Sequence, residues 1–312
     1  MKKFLPLLLA CSISALEPQG TFFDTEPPSA TEYNGHLQNA LTERDWWAAV
    51  DYADMISRHY PTTPFAQETP FQAAYAYYQL GQLELANEEA THYLNHSNVH
   101  AHFEEAIQMK FEIAEAYRNG KKKPLFGSHK LPRWLSAKED AIEIYDEVIT
   151  SIPHSEMAAK SLLGKALLQC DLEDYKPAVE TLHLLIRRFP KNNAAAEAYL
   201  EIGKTYFSQS KNTSLDLDIL DLAEVNLRKF KLAFPREPRI AEAEQIFFET
   251  QELFAQNLFE TGKFFEKTKK IPASLLYYNA VVAKYPLTEA AKWAQEKIER
   301  LQPHEELEVS TS

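Results

Sequence analysis

Five times along this chain a run of helical periodicity closes on a bulky apolar residue followed by proline: Tyr60-Pro61, Ile152-Pro153, Phe189-Pro190, Phe234-Pro235 and Tyr285-Pro286. Each time a small residue lies twelve positions before the proline, namely Ala49, Ala141, Ala178, Ala223 and Ser274. A sixth unit, anchored on Ala86, carries Asn98 where the proline would stand. Proline lacks an amide proton and its ring clashes with the preceding turn, so it stops a helix. Stops that recur in register mark a supersecondary unit that buries its apolar face only by stacking on its neighbours. The anchors follow one another at 37, 55, 37, 45 and 51 residues. The short step recurs, and the long steps hold insertions: residues 120–134, the polar loop 208–215, and extra helical turns before Thr250.

Each unit reads as two helices, with apolar residues at three- and four-residue spacing joined by a short polar turn. The expected units are 31–61, 64–98, 100–153, 156–190, 193–235 and 240–286, followed by a capping helix over 288–301. The fold class is therefore all-α: a solenoid of about six helix pairs. A small residue early in each second helix lets the first helix approach, because axes about 8–10 Å apart leave no room for bulk at the crossing. The small residues of the first helices, Ala74, Gly164, Gly203 and Gly262, invite the same reading, with bulky Tyr77, Leu167, Tyr206 and Phe265 three positions on.

With 312 residues, 45% of them hydrophobic, the chain can bury a substantial core. Eight glycines leave little material for phosphate-cradling loops, and a net charge of -12 argues against nucleic acid as a partner. The two cysteines, Cys11 and Cys170, do not make a disulfide framework. Met1-Lys2-Lys3, the apolar run Phe4 to Ala10 and the sequence Leu8-Leu9-Ala10-Cys11 fit a lipoprotein signal peptide over 1–10, with lipid attachment at Cys11. Ordinary secretory cleavage near Ser14 or Ala15, or a retained N-terminus, are the other readings. Residues 11–30, with prolines and acidic residues but no periodicity, read as a tether, and 302–312 as a disordered tail.

Stacked helix pairs curve, and their first helices line a concave surface suited to peptides. In the second unit Phe71, Tyr75 and Tyr78 fall on the face expected to point into that groove, with Tyr77 turned into the core. Such aromatics also pack routinely against a neighbouring unit. Lys121, Lys122, Lys123, Lys130 and Arg133 form a basic island in an acidic chain, either a partner-contact loop or a solvated turn. His92, His96, His100 and His102 cluster without cysteine or a His-Glu-x-x-His pattern, so no metal or other cofactor is expected. Cys170 reads as a small buried hydrophobe. No Gly-x-Ser-x-Gly, phosphate loop or dinucleotide fingerprint occurs, and the repeats leave no room for a catalytic domain.

The pattern of a small residue, a bulky residue three on, an acidic-aromatic turn (Asp45-Trp46, Asp174-Tyr175), a second small residue and proline resembles the tetratricopeptide repeat, which implies a right-handed solenoid. The stretch from Leu37 to Ala86, the insertion at Leu125-Phe126-Gly127 before Ala141, and the segment Ala243 to Pro286 resemble the BamD/YfiO family of outer-membrane assembly lipoproteins. Units four and five look like additions to that family's plan. The family's arginine-glycine turn is Thr268-Lys269 here, and its later arginine aligns near Tyr277. The resemblance implies a non-enzymatic scaffold on the periplasmic face of the outer membrane, held by a lipid anchor. Its implied partners are a BamA-like assembly component and unfolded outer-membrane proteins, recognised by the N-terminal repeats. A periplasmic adaptor for cell-wall proteins and a cytoplasmic repeat chaperone are the rival readings.

Overall fold

The computed structural model describes residues 28–96, 101–124, 132–212 and 216–301. The signal segment, Cys11, nearly all of the tether, His100, Lys130 and the tail 302–312 lie outside the described residues. Helices account for almost all of what is described. They are α1 (Ala30–Glu43), α2 (Trp46–His59), α3 (Pro64–Gln79), α4 (Leu83–His96), α5 (Phe103–Arg118), α6 (Lys138–Ser151) and α7 (Glu156–Asp171). There follow α8 (Tyr175–Arg188), α9 (Asn193–Asn212), α10 (Leu217–Ala233), α11 (Ile240–Lys267), α12 (Ile271–Lys284) and α13 (Glu289–Leu301). The first helices form a row in which α1 touches α3, α3 touches α5, and so on through α7 and α9 to α11. Each second helix from α2 to α10 packs against its own first helix and the next one, which makes an all-α solenoid.

Two turns repeat, and together they explain the punctuation in the sequence. Tyr60, Ile152, Phe189, Phe234 and Tyr285 each cap a second helix with φ near -130° and ψ between 49° and 63°. That is off the helical region, as the following proline requires. Each bulky residue donates its amide to the carbonyl four back, and its own carbonyl accepts from the residue three on, as in Tyr60 to Ile56 and Thr63 to Tyr60. The turn after the first helix is also constant in five of the six units, that between α9 and α10 lying partly outside the described residues. Asp45, Gln82, Lys121, Asp174 and Lys270 each donate an amide to the carbonyl five residues back, and the residue before each is left-handed. Glycine fills that left-handed place at Gly81 and Gly120, but Arg44, Glu173 and Lys269 adopt it with φ near 60°. These are Schellman closures, in which a residue with a Cβ pays a conformational cost that glycine does not.

The anchors behave as their size predicts: Ala49, Ala86, Ala141, Ala178 and Ser274 are fully buried and Ala223 nearly so. Two first-helix glycines make close contacts. A Cβ on Gly164 would lie 2.6 Å from the Tyr145 hydroxyl, and one on Gly262 would lie 2.6 Å from the Tyr278 ring. Gly203 departs from the expectation. A Cβ there would meet nothing nearer than Ile246 at 4.0 Å, so its small size is not required by packing.

The insertion in unit three contains a feature the periodicity does not announce, a short antiparallel pair of β1 (Lys123–Pro124) and β2 (Arg133–Leu135). Lys123 ties it down, bonding Asp140 of α6 at 2.6 Å and approaching Glu84 of α4 at 4.0 Å. Lys110 of α5 is almost wholly buried and directs its three ammonium donors to Asn87, Thr91 and Glu147, riveting α4, α5 and α6 together. The 28-residue α11, roughly 42 Å long at 1.5 Å per residue, serves two cores. Ala243, Ile246 and Phe247 pack with α9 and α10, whereas Phe254, Ala255 and Phe259 pack with α12 and α13.

Candidate peptide-binding groove

Helical spacing sets the first wall. On α3, Phe71, Tyr75 and Tyr78 project to one side, while Tyr77 is half-buried between the core of the first unit and that of the middle units. The row of first helices supplies the rest: Glu104, Glu105, Gln108, Met109 and Glu112 from α5, and Met157 from α7. Together they enclose an open cavity of about 650 Å³. Its surface is mostly apolar with a few polar groups at the edge, the character of a recognition site.

Each aromatic is held differently. Phe71 lies between Tyr93, 5.5 Å away, and the His102 ring, stacked at 4.4 Å and 7°. Tyr75 is 41% exposed and makes a T-shaped contact with Trp46, leaving part of its ring open to a ligand. Tyr78 donates its hydroxyl to Glu112 at 2.7 Å, and Gln108 donates to the other oxygen of that carboxylate at 2.8 Å. Burial, followed by the adjacent Glu112 carboxylate, pushes the Tyr78 phenol up to about 12. The hydroxyl therefore stays protonated and donating, and Glu112 is fixed with its charge facing the cavity.

The other sequence candidates scatter. Lys121 and Lys122 are exposed, whereas Lys123 turns inward to its carboxylates, so the basic island narrows to its first two lysines among the described side chains. The histidines also separate: His92 and His96 lie 4.6 Å apart on α4, while His102 is taken up by Phe71. Among the described residues no group of three metal-ligating side chains forms. Cys170 is half-buried rather than buried, with its sulfur 3.1 Å from the Thr205 hydroxyl, and burial raises its thiol above the usual range. Sequence reasoning missed the α5 and α7 walls, because those residues read as ordinary polar and apolar positions until the first helices are stacked.

Paired helices in a row, closed by recurring Schellman and proline turns around an aromatic-lined groove, define a tetratricopeptide-repeat scaffold. Residues 24–164 match a tetratricopeptide-repeat family. Residues 134–308, more than half of the chain, match YfiO, described as outer membrane lipoprotein, and the chain belongs to that family. The second match takes in α7 to α10, the two pairs that look like additions in the sequence. Outer membrane protein assembly factor BamD of Neisseria meningitidis serogroup B is 24% identical over 257 residues, covering 76% of this chain and 93% of that protein. Among solved structures, a tetratricopeptide repeat protein from Parabacteroides merdae is 14% identical, covering 87% of this chain and 98% of that one, with a TM-score of 0.36. The C-terminal part of a repeat protein from Cytophaga hutchinsonii is 13% identical, covering 85% and 99%, with a TM-score of 0.30.

Proposed function

We propose that this chain is a non-enzymatic scaffold in the assembly of outer-membrane β-barrel proteins, tethered through an acylated Cys11 to the periplasmic face of the outer membrane. The observation that carries the reading is the groove between α3, α5 and α7, with exposed Tyr75 over an apolar floor of Phe71 and Met109. Membership of the YfiO family supports the setting, and the name of the meningococcal relative supports the process. The work is recognition. Large, rigid aromatics bind extended segments at low entropy cost, so incoming substrate segments engage the N-terminal repeats, leaving other surfaces of the solenoid to a BamA-like component. No helix among the described residues is long and apolar enough to cross a membrane. In this reading attachment comes from the lipid.

Two experiments test it. Purification of the tagged protein from envelope membranes should bring down an outer-membrane β-barrel component. Recovery of cell-wall proteins alone would favour the adaptor reading. Metabolic lipid labelling should mark the wild type and spare Cys11→Ala, and equal labelling of the two would sink the anchor.

A further inference from the structure

The groove carries a charge as well as a shape. Its described lining contains three carboxylates, Glu104, Glu105 and Glu112, and no lysine or arginine. Among the described residues Glu112 accepts hydrogen bonds from two neutral donors, Tyr78 and Gln108, so its charge is oriented without being cancelled there. Glu104 and Glu105 are exposed in the first turn of α5, and His102 sits 3.5 Å from Glu105 while its ring stacks on Phe71. The N-terminus of α5 contributes a partial positive charge of about half a unit, which three carboxylates outweigh. The cleft between α10 and α11 makes the contrast: there Arg228 and Lys231 face Glu224 and Glu244, and Lys231 bonds Glu244 at 2.6 Å.

We infer that the groove selects an internal cationic-aromatic segment of a partner protein, with an apolar or aromatic side chain seated against Tyr75, Met109 and Met157 and a lysine or arginine beside it meeting Glu104, Glu105 and Glu112. A chain end is the wrong occupant. Its terminal carboxylate would be placed among three like charges with no lysine or arginine among the described lining residues to receive it, and like charges held in a partly desolvated cleft repel. The inference rests on the groove being a peptide site and adds which peptides it takes. A cation about 6 Å from the carboxylates, at a dielectric between that of protein surface pairs and water, is worth about tenfold in affinity. That advantage is screened by salt.

The test is calorimetric titration of the full-length protein with peptides sharing one aromatic core. One is amidated with flanking lysines, one amidated and neutral, and one neutral with the aromatic at a free C-terminus. The lysine peptide should bind about tenfold tighter than the neutral amidated peptide, the free-carboxylate peptide should bind more weakly than either, and the gaps should shrink in about 0.5 M salt. The triple change Glu104→Gln, Glu105→Gln and Glu112→Gln should abolish the preference while leaving the neutral peptide bound. Glutamine keeps an acceptor for Tyr78, and circular dichroism confirms folding. A free-carboxylate peptide that binds as well as the lysine peptide, or a preference that survives the triple change, overturns the charge rule. Loss of the groove reading itself looks different: Tyr75→Ala would then leave every peptide unaffected. Wild-type protein that dimerises until the Lys121-Lys122 segment of a second copy is changed would overturn the choice of a foreign segment.

Discussion

Gly164→Ala and Gly203→Ala place the same extra methyl at corresponding points of successive first helices, and the structure assigns them opposite signs. Replacing glycine by alanine inside a helix normally gains roughly 0.5–1 kcal/mol by restricting the unfolded chain and favouring the helix. At Gly203 the new Cβ meets nothing within contact distance except Ile246 at 4.0 Å, so that gain should appear almost whole. At Gly164 the methyl would stand 2.6 Å from the Tyr145 hydroxyl and 2.7 Å from its ring, and the ring must yield by several tenths of an ångström. It has little freedom to do so. Tyr145 is fully buried, packs near Phe111, and donates its hydroxyl to Glu115, which is also paired with Arg118. Overpacking of this kind costs about 1–3 kcal/mol, and a strained hydrogen bond to a charged acceptor adds about 1 kcal/mol. After the helix gain, a net loss of about 1–3 kcal/mol remains. Urea denaturation followed by circular dichroism should show the midpoint rising for Gly203→Ala and falling for Gly164→Ala. Pairing Gly164→Ala with Tyr145→Leu should recover part of the loss, a coupling that a double-mutant cycle measures. Equal shifts at both glycines, or strict additivity with Tyr145→Leu, would refute the close-approach argument.

Lys110→Ala should cost about 3 kcal/mol in the same assay, because it removes a buried stem and orphans acceptors on α4 and α6. Hydrogen bonds from Lys297 and then Tyr278 hold the Glu266 carboxyl below its usual range. A depressed carboxyl contributes stability that is present above its unfolded pKa and is lost as pH falls through the folded value. The deficit of Glu266→Gln should therefore be full at pH 7 and close below pH 4.5, as pH-dependent melting would reveal. Lys269→Gly replaces a left-handed lysine with φ 58° at a Schellman turn. It should raise the melting midpoint, with a gain of up to about 1 kcal/mol.

What the sequence discloses follows from how local its causes are. The proline turns were legible because one ring and one preceding side chain fix them, and Tyr60, Ile152, Phe189, Phe234 and Tyr285 all take up the same cap. The intra-unit turns were legible at Asp45-Trp46, Asp174-Tyr175 and Thr268-Lys269, but residue type announced the left-handed residue only at Gly81 and Gly120. At Arg44, Glu173 and Lys269 the same geometry is closed by the next residue's amide bonding the carbonyl five back from it, a cause that residue type does not record. Gly203 misled for the converse reason: small size in register with Gly164 and Gly262 suggested a crossing that the structure does not make there. In the groove, helical spacing was enough to put Phe71, Tyr75 and Tyr78 on one side of α3. The acidic wall on α5 and Met157 on α7 depend on three helices being stacked, as does the seating of the His102 ring on Phe71. The paired strands β1 and β2 are too short to carry a periodic signal.

The central claim is that the groove of α3, α5 and α7 receives segments of proteins bound for the outer membrane. A photo-activated crosslinker at Tyr75 in intact cells, compared with one at exposed Glu88 on α4, tests it most directly. The account predicts that position 75 captures outer-membrane β-barrel proteins and that position 88 captures none. Capture of no such protein at position 75, or equal capture at both positions, would contradict it.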